Sequence, residues 1–282
     1  VKKLIFISLF FSSFFIYSIK ADIIPQDKNL FCERFVNKTK LMDLSLEMQN
    51  RLSFKNSGGL INGGVCWWHS RFQRNLLYLS LFDSNLPMVS KNEYRQIIKD
   101  IRKGEKIITI PGFKNVNDFS RELNGEIQKE LENWQLYDGL VLGGWLEGIK
   151  GDTKVSSNEL ELSMNTLYLY FNNGEKIPYL KLQIKGITSH AWLISHIEKT
   201  SNGYTLRLID SNYPQRTSYY QYTIGDESFH DTDWGNFVPY LRFTNEEKRL
   251  SNISKKYCGI KTIDDERELD YSEGYELDLK EF

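Results

Sequence analysis

Gly63-Gly64-Val65-Cys66-Trp67-Trp68-His69-Ser70-Arg71-Phe72 lies near the front of the chain, and the reading of everything else starts from it. Two glycines interrupt the chain and a cysteine follows. Trp68, Phe72, Leu76, Leu79 and Phe82 then recur at spacings of three and four, so a helix begins at or near Cys66. A thiol at a helix N-terminus sits in the partial positive charge of the helix dipole, which favours thiolate over thiol. The glycines allow close approach of backbone to ligand, and the Cys66 backbone N–H is placed to receive an oxyanion. Cys66 is the candidate nucleophile, against the plainer alternative of a buried structural cysteine at a helix start.

Upstream, Asn37 or Thr39 can cap a helix running through Leu41, Met42, Leu44, Leu46, Met48 and Leu52, which the glycine-rich stretch 57–64 ends. Downstream, Tyr94, Ile97, Ile98 and Ile101 mark a third helix, and residues 106–111 read as a short strand. Asn115 caps a further helix with one buried stripe: Val116, Phe119, Leu123, Ile127, Leu131 and Trp134. After residue 136 the character changes. Segments 140–145, 166–171, 187–197, 204–210, 218–224 and 237–243 are rich in β-branched and aromatic residues and read as strands. Asn173-Gly174 and Ser201-Asn202-Gly203 read as hairpin turns. Helices followed by an antiparallel sheet make an α+β protein, with a helical lobe facing a sheet lobe across a cleft.

Of the four histidines, His190 opens the apolar run Ala191-Trp192-Leu193-Ile194, where a rigid strand can present an imidazole to the helix N-terminus. His196 shares its strand parity but lies too far along the strand to serve the same thiol. His69 is one helical turn beyond Cys66 and poorly placed to face it. His190 is the expected base, and His69 the rival. The hairpin at Asn202 returns the chain so that residues 210–213 lie beside His190. Asp210 and Asn212 share one face there, and either can fix the imidazole tautomer. A carboxylate also stabilises an imidazolium, so Asp210 is the expected orienter and Asn212 the alternative. Asn62, in the glycine loop, is the candidate side-chain donor to an oxyanion.

The 282 residues carry a net charge of −1, so no broad basic field points to nucleic acid. Lys2 and Lys3, the apolar run 4–19 and Ala21 have the form of a signal peptide over residues 1–21, with an uncleaved anchor as the alternative. No later segment is apolar for long enough to span a bilayer, so stable membrane insertion is not expected. Residues 22–263 are expected to form the catalytic domain, and the acidic stretch 264–282 a solvated tail. Export permits disulfides, and Cys32 and Cys258 can join the ends of the domain, leaving Cys66 as the odd thiol. There is no metal-ligand spacing, phosphate-binding glycine loop or Gly-x-Ser-x-Gly elbow, and no cofactor is expected. Asp231 and Asp233 beside His230 read as a solvated loop, with a cation site as the alternative.

These residues together resemble the papain-like cysteine peptidases. Gly64-Val65-Cys66-Trp67 is similar to the segment around their nucleophile, and Ser189-His190-Ala191 to that around their base. The order of the two and their long separation also match, and Asp210-Ser211-Asn212-Tyr213-Pro214 is similar to bacterial branches with a Cys-His-Asp triad. The resemblance implies a papain-like fold, a thioester mechanism, and a peptide or protein substrate met in the periplasm or outside the cell. Transglutaminase-like acyl transfer and an inactive papain-like binding domain are the rival expectations. Leu60 stands where papain itself has a glutamine. No Asn-Ser-Trp-Gly segment follows His190, and Thr232-Asp233-Trp234-Gly235 echoes it at a distance judged too great along the chain.

Overall fold

The computed structural model describes residues 27–37, 39–60, 63–140, 152–173, 176–185 and 188–261. The expected signal segment and acidic tail lie outside them.

The chain opens with α1 (Lys28–Val36), which starts where Asp27 accepts the Leu30 N–H. Next comes α2 (Lys40–Leu46), followed by a 3₁₀ turn at Met48–Asn50. The single helix expected over 41–52 is therefore broken. Side chains take up the end carbonyls of α2: Asn50 Nδ2 donates to Leu44 O, and the Arg51 guanidinium donates to Ser45 O and Leu46 O. The third helix, α3 (Cys66–Leu79), begins at the expected residue and is buried nearly all round. It ends in a short strand, β1 (Ser80–Asp83), which pairs in parallel with β2 (Ile108–Pro111). Between them lies α4 (Lys91–Lys103), whose Ser90–Glu93 capping box and Gly104 C-cap define its ends. The long apolar stripe is divided between α5 (Val116–Glu122) and α6 (Asn124–Leu140). Its six apolar residues are all buried across the break at Leu123.

One expectation is overturned. Residues 166–171 are not a strand but the second half of α7 (Ser157–Asn172), which closes at Asn173 instead of turning a hairpin. Helical register wins because Leu160, Met164, Leu167 and Phe171, three and four apart, are the buried positions. Leu140 closes α6 rather than opening a strand. Residues 141–145 and Gly174 lie outside the described residues.

The remaining strands are β3 (Tyr179–Gln183), β4 (Ser189–Thr200), β5 (Gly203–Asp210), β6 (Ser218–Thr223), β7 (Phe229–Asp231) and β8 (Gly235–Arg242), followed by α8 (Thr244–Tyr257). They form an antiparallel sheet in the order β6-β5-β4-β3-β8-β7. Its edges approach a barrel: the Tyr220 ring stacks on Phe229 at 4.2 Å, and the Tyr220 hydroxyl accepts the His230 N–H at 2.7 Å.

Strand alternation divides the interior in two. Tyr179, Ala191, Leu193 and Ile209 face α3 and the helical core. Leu180, Leu182, Trp192, Ile194 and Leu208 face the second core, with α7, Phe229 and Phe237. The β4–β5 hairpin turns at Ser201 and Asn202, as expected, and ends at Gly203. Gly203 has φ 147°, and a Cβ there would run into the Tyr222 carbonyl. Cys32 and Cys258 form a disulfide that ties α1 to the end of α8, leaving Cys66 free.

Candidate active site

Three elements meet at the N-terminus of α3. Val65 caps the helix without a side-chain acceptor, so the orphan N–H groups of the first turn are not claimed by a cap side chain. The glycine loop before it is strapped to one face of α6. Gln128 Nε2 donates to Ser57 O, Glu132 Oε1 accepts from Gly59 N–H, and Gln135 holds both Leu60 N–H and Gly64 O. Gly64 has φ 83° and lies against Asn56 Oδ1, which leaves no room for a Cβ. These contacts hold Ser57, Gly59, Leu60 and Gly64 against α6 at the entrance to α3.

Cys66 Sγ lies 3.5 Å from Ser189 O, at the start of β4, and His190 follows immediately. His190 Nε2 donates to Asp210 Oδ1 at 2.7 Å, which leaves Nδ1 as the ring nitrogen available to the thiol. The sheet register explains the meeting. Trp192 pairs with Asp210 across the hairpin, and His190 shares their face two residues earlier. A bulge between Ile194 and His196 reverses the parity of the far half of β4, so His196 points to solvent.

The charge balance follows from these contacts. Burial opposes an imidazolium at His190. Hydrogen bonds and charge from Asp210 and Cys66 outweigh it and push His190 up to about 10. Burial likewise pushes the Asp210 carboxyl up, but hydrogen bonds from His190, Asn212 N–H and Trp192 Nε1, with the His190 charge, bring it below the usual carboxylate range. The result is a cation flanked by an anion and a thiol. Such a histidine holds a proton at neutral pH and can pass it on.

His69 makes none of these contacts. Its Nε2 donates to Phe54 O at 2.8 Å, and burial drives it down to about 4, so it stays neutral. Asn212 is not the orienter either. Its Oδ1 accepts from Asn56 Nδ2 and its backbone N–H donates to Asp210 Oδ1 at 2.8 Å, so it braces the carboxylate from behind. Asn62 lies outside the described residues.

No family model matches this chain. No curated protein and no solved structure matches it either.

Sequence reasoning missed two aromatic neighbours. Trp192 Nε1 donates to Asp210 Oδ2 at 3.0 Å, and the Trp234 ring lies 4.8 Å from the His190 ring. Trp234, set aside as too distant, is carried back by the β7–β8 turn: chain distance is not spatial distance in an antiparallel sheet. Asp231 Oδ1 accepts the Asp233 and Trp234 N–H groups and so shapes that turn. Among the described residues no cluster of His, Cys, Asp and Glu is placed to hold a metal ion, and no helix is long and apolar enough to cross a membrane.

Proposed function

We propose that this protein is an exported cysteine hydrolase of papain-like kind, acting on amide bonds in peptides or proteins. The observation that carries the reading is the His190 ring itself, held at Nε2 by Asp210 and raised in basicity by both Asp210 and the neighbouring Cys66. A cysteine with that partner at a helix N-terminus is an activated nucleophile.

Cys66 sulfur, as thiolate, attacks the substrate carbonyl carbon. The oxyanion that forms faces the first-turn N–H groups of α3. When the C–N bond breaks, His190 gives its proton to the leaving amine, and the acyl group remains on sulfur as a thioester. Water then attacks the thioester, His190 takes a proton from it, and the acid departs as the thiolate–imidazolium pair is restored. Asp210 holds the ring through Nε2 during both proton transfers. The Cys32–Cys258 disulfide supports an oxidising compartment, the periplasm or the outside of the cell.

The test is turnover of a fluorogenic peptide-amide library by the purified protein. Cleavage lost in Cys66→Ala and in His190→Ala is the expected result. Activity that survives Cys66→Ala overturns the assignment. Product captured by an added primary amine in place of water identifies acyl transfer instead.

A further inference from the structure

Asp210 is only 5% exposed, and its two oxygens take different donors. Oδ1 accepts from His190 Nε2 at 2.7 Å and from the Asn212 backbone at 2.8 Å. Oδ2 accepts from Trp192 Nε1 at 3.0 Å. A buried carboxylate with an unpartnered oxygen is costly, and a carboxylate free to rotate offers its base partner no fixed acceptor.

The indole that holds Oδ2 is itself immobilised from the other side. Its ring meets Phe237 edge-on at 5.5 Å, Tyr220 at 5.7 Å and Phe229 at 6.4 Å, within the aromatic core of the barrel. Its backbone is the direct cross-strand partner of Asp210. One residue thus connects barrel packing to the carboxylate.

We propose that Trp192 is a positioning residue for the cysteine chemistry: its indole N–H fixes Asp210 Oδ2 so that Oδ1 stays on His190 Nε2. This rests on the reading of Cys66 as nucleophile and His190 as its base. A residue that only filled the barrel would need the ring and not the N–H. The titratable groups that act on Asp210 are His190 on the adjoining strand and His69 on α3, while Cys66, also on α3, acts on His190. His69 is neutral above about pH 4 and so adds no charge beside Asp210 near neutrality.

The experiment replaces Trp192 in the full chain with 3-benzothienylalanine, which keeps the ring shape and carries sulfur in place of N–H. Two quantities are read: the iodoacetamide alkylation rate of Cys66 across pH, located by peptide mass spectrometry, and the His190 titration by NMR. The expected result is a Cys66 rate at pH 5.5 lower by about tenfold, as for loss of one hydrogen bond to a charged group. The acid limb of the profile moves up and His190 titrates lower. An unchanged profile and an unchanged His190 titration in the folded variant overturn the proposal.

If the variant does not fold, the indole ¹⁵N–H resonance of Trp192 is followed in Asp210→Asn. A resonance that does not move also overturns the proposal, since the N–H then has no partner in the carboxylate. The underlying reading fails separately and earlier. Unmodified protein whose His190 titrates as an ordinary histidine has no activated dyad, whatever Trp192 does.

Discussion

Two imidazoles are buried within one neighbourhood, and their surroundings drive them apart. His69 and His190 are 2% and 3% exposed, yet one is held near 4 and the other near 10. Desolvation opposes the charged form of both. The difference is the partner. His69 donates to a neutral carbonyl, Phe54 O, which cannot offset the loss of water. His190 donates to a carboxylate that is itself held by Trp192 and Asn212, and it faces a thiol on its other side. Burial alone therefore does not fix the charge of a histidine. The anion beside it does.

The sharpest way to break this comparison is Asp210→Ala. It leaves His190 buried with no carboxylate, so it should come to resemble His69. Alkylation of Cys66 at pH 6 is expected to fall by about 100- to 1,000-fold. A rate within a few-fold of the unmodified protein would mean that the carboxylate does not set the proton inventory.

A perturbation remote from both rings checks that reactivity is not merely a proxy for stability. Cys32→Ser with Cys258→Ser removes the covalent link between α1 and α8, at a cost of about 2–4 kcal/mol. The Tm should drop by about 5–10 °C, while Cys66 alkylation at 25 °C stays within about twofold. Loss of reactivity in parallel with Tm would tie the site to global stability.

His69→Gln sharpens the other side. His69 titrates lower in the folded than in the unfolded chain, so its neutral form contributes stability that is present above about pH 6.5 and is lost as pH falls towards 4. Removing it should recover about 2–3 kcal/mol at pH 4.5, read as the shift in urea unfolding between pH 7 and pH 4.5. His190 runs the opposite way. Its contribution is complete below about pH 6.5 and is lost as pH rises towards 10. The stability of the unmodified protein should therefore peak near neutrality; a maximum above pH 9 would contradict the His190 assignment, and one below pH 5 the His69 assignment.

The smallest effect is expected from Gln135→Ala. It frees Leu60 N–H and Gly64 O from α6 and should slow alkylation by about two- to fivefold without moving its pH profile. A moved profile would place the glycine loop inside the proton relay.

Local pattern made much of this arrangement legible before any coordinates. The start of α3 at Cys66 followed from a glycine break and three–four spacing. Counting from the Asn202 turn brought residues 210–213 beside His190, but it is the bulge between Ile194 and His196, absent from that count, that sets Asp210 on the face of His190. The Cys32–Cys258 disulfide was one pairing open to three cysteines, suggested by their places near the two ends. The misreading at residues 166–171 came from weighing β-rich composition, Thr-Leu-Tyr-Leu-Tyr-Phe, above periodicity. The capping box at Ser156 and Glu159 was written in the sequence and pointed to a helix. Helix α8 carries the same pattern at Thr244 and Glu247 without using it, since Phe243 caps the helix with φ 57° and no side-chain bond. Trp234 and the Trp192 N–H could not be found from spacing, because barrel closure and a shared strand face bring them to the site.

The Cys32–Cys258 bond has a consequence for testing the proposal that this protein cuts peptide bonds, its own included. Every residue between those two cysteines lies inside one covalent ring. A single nick in any loop of that ring releases nothing. The cut molecule gains one water in mass, keeps its packed interior, and runs on a non-reducing gel as an intact chain would. Two fragments appear only once reductant is added, so self-cleavage in this protein is a property to look for under reducing conditions.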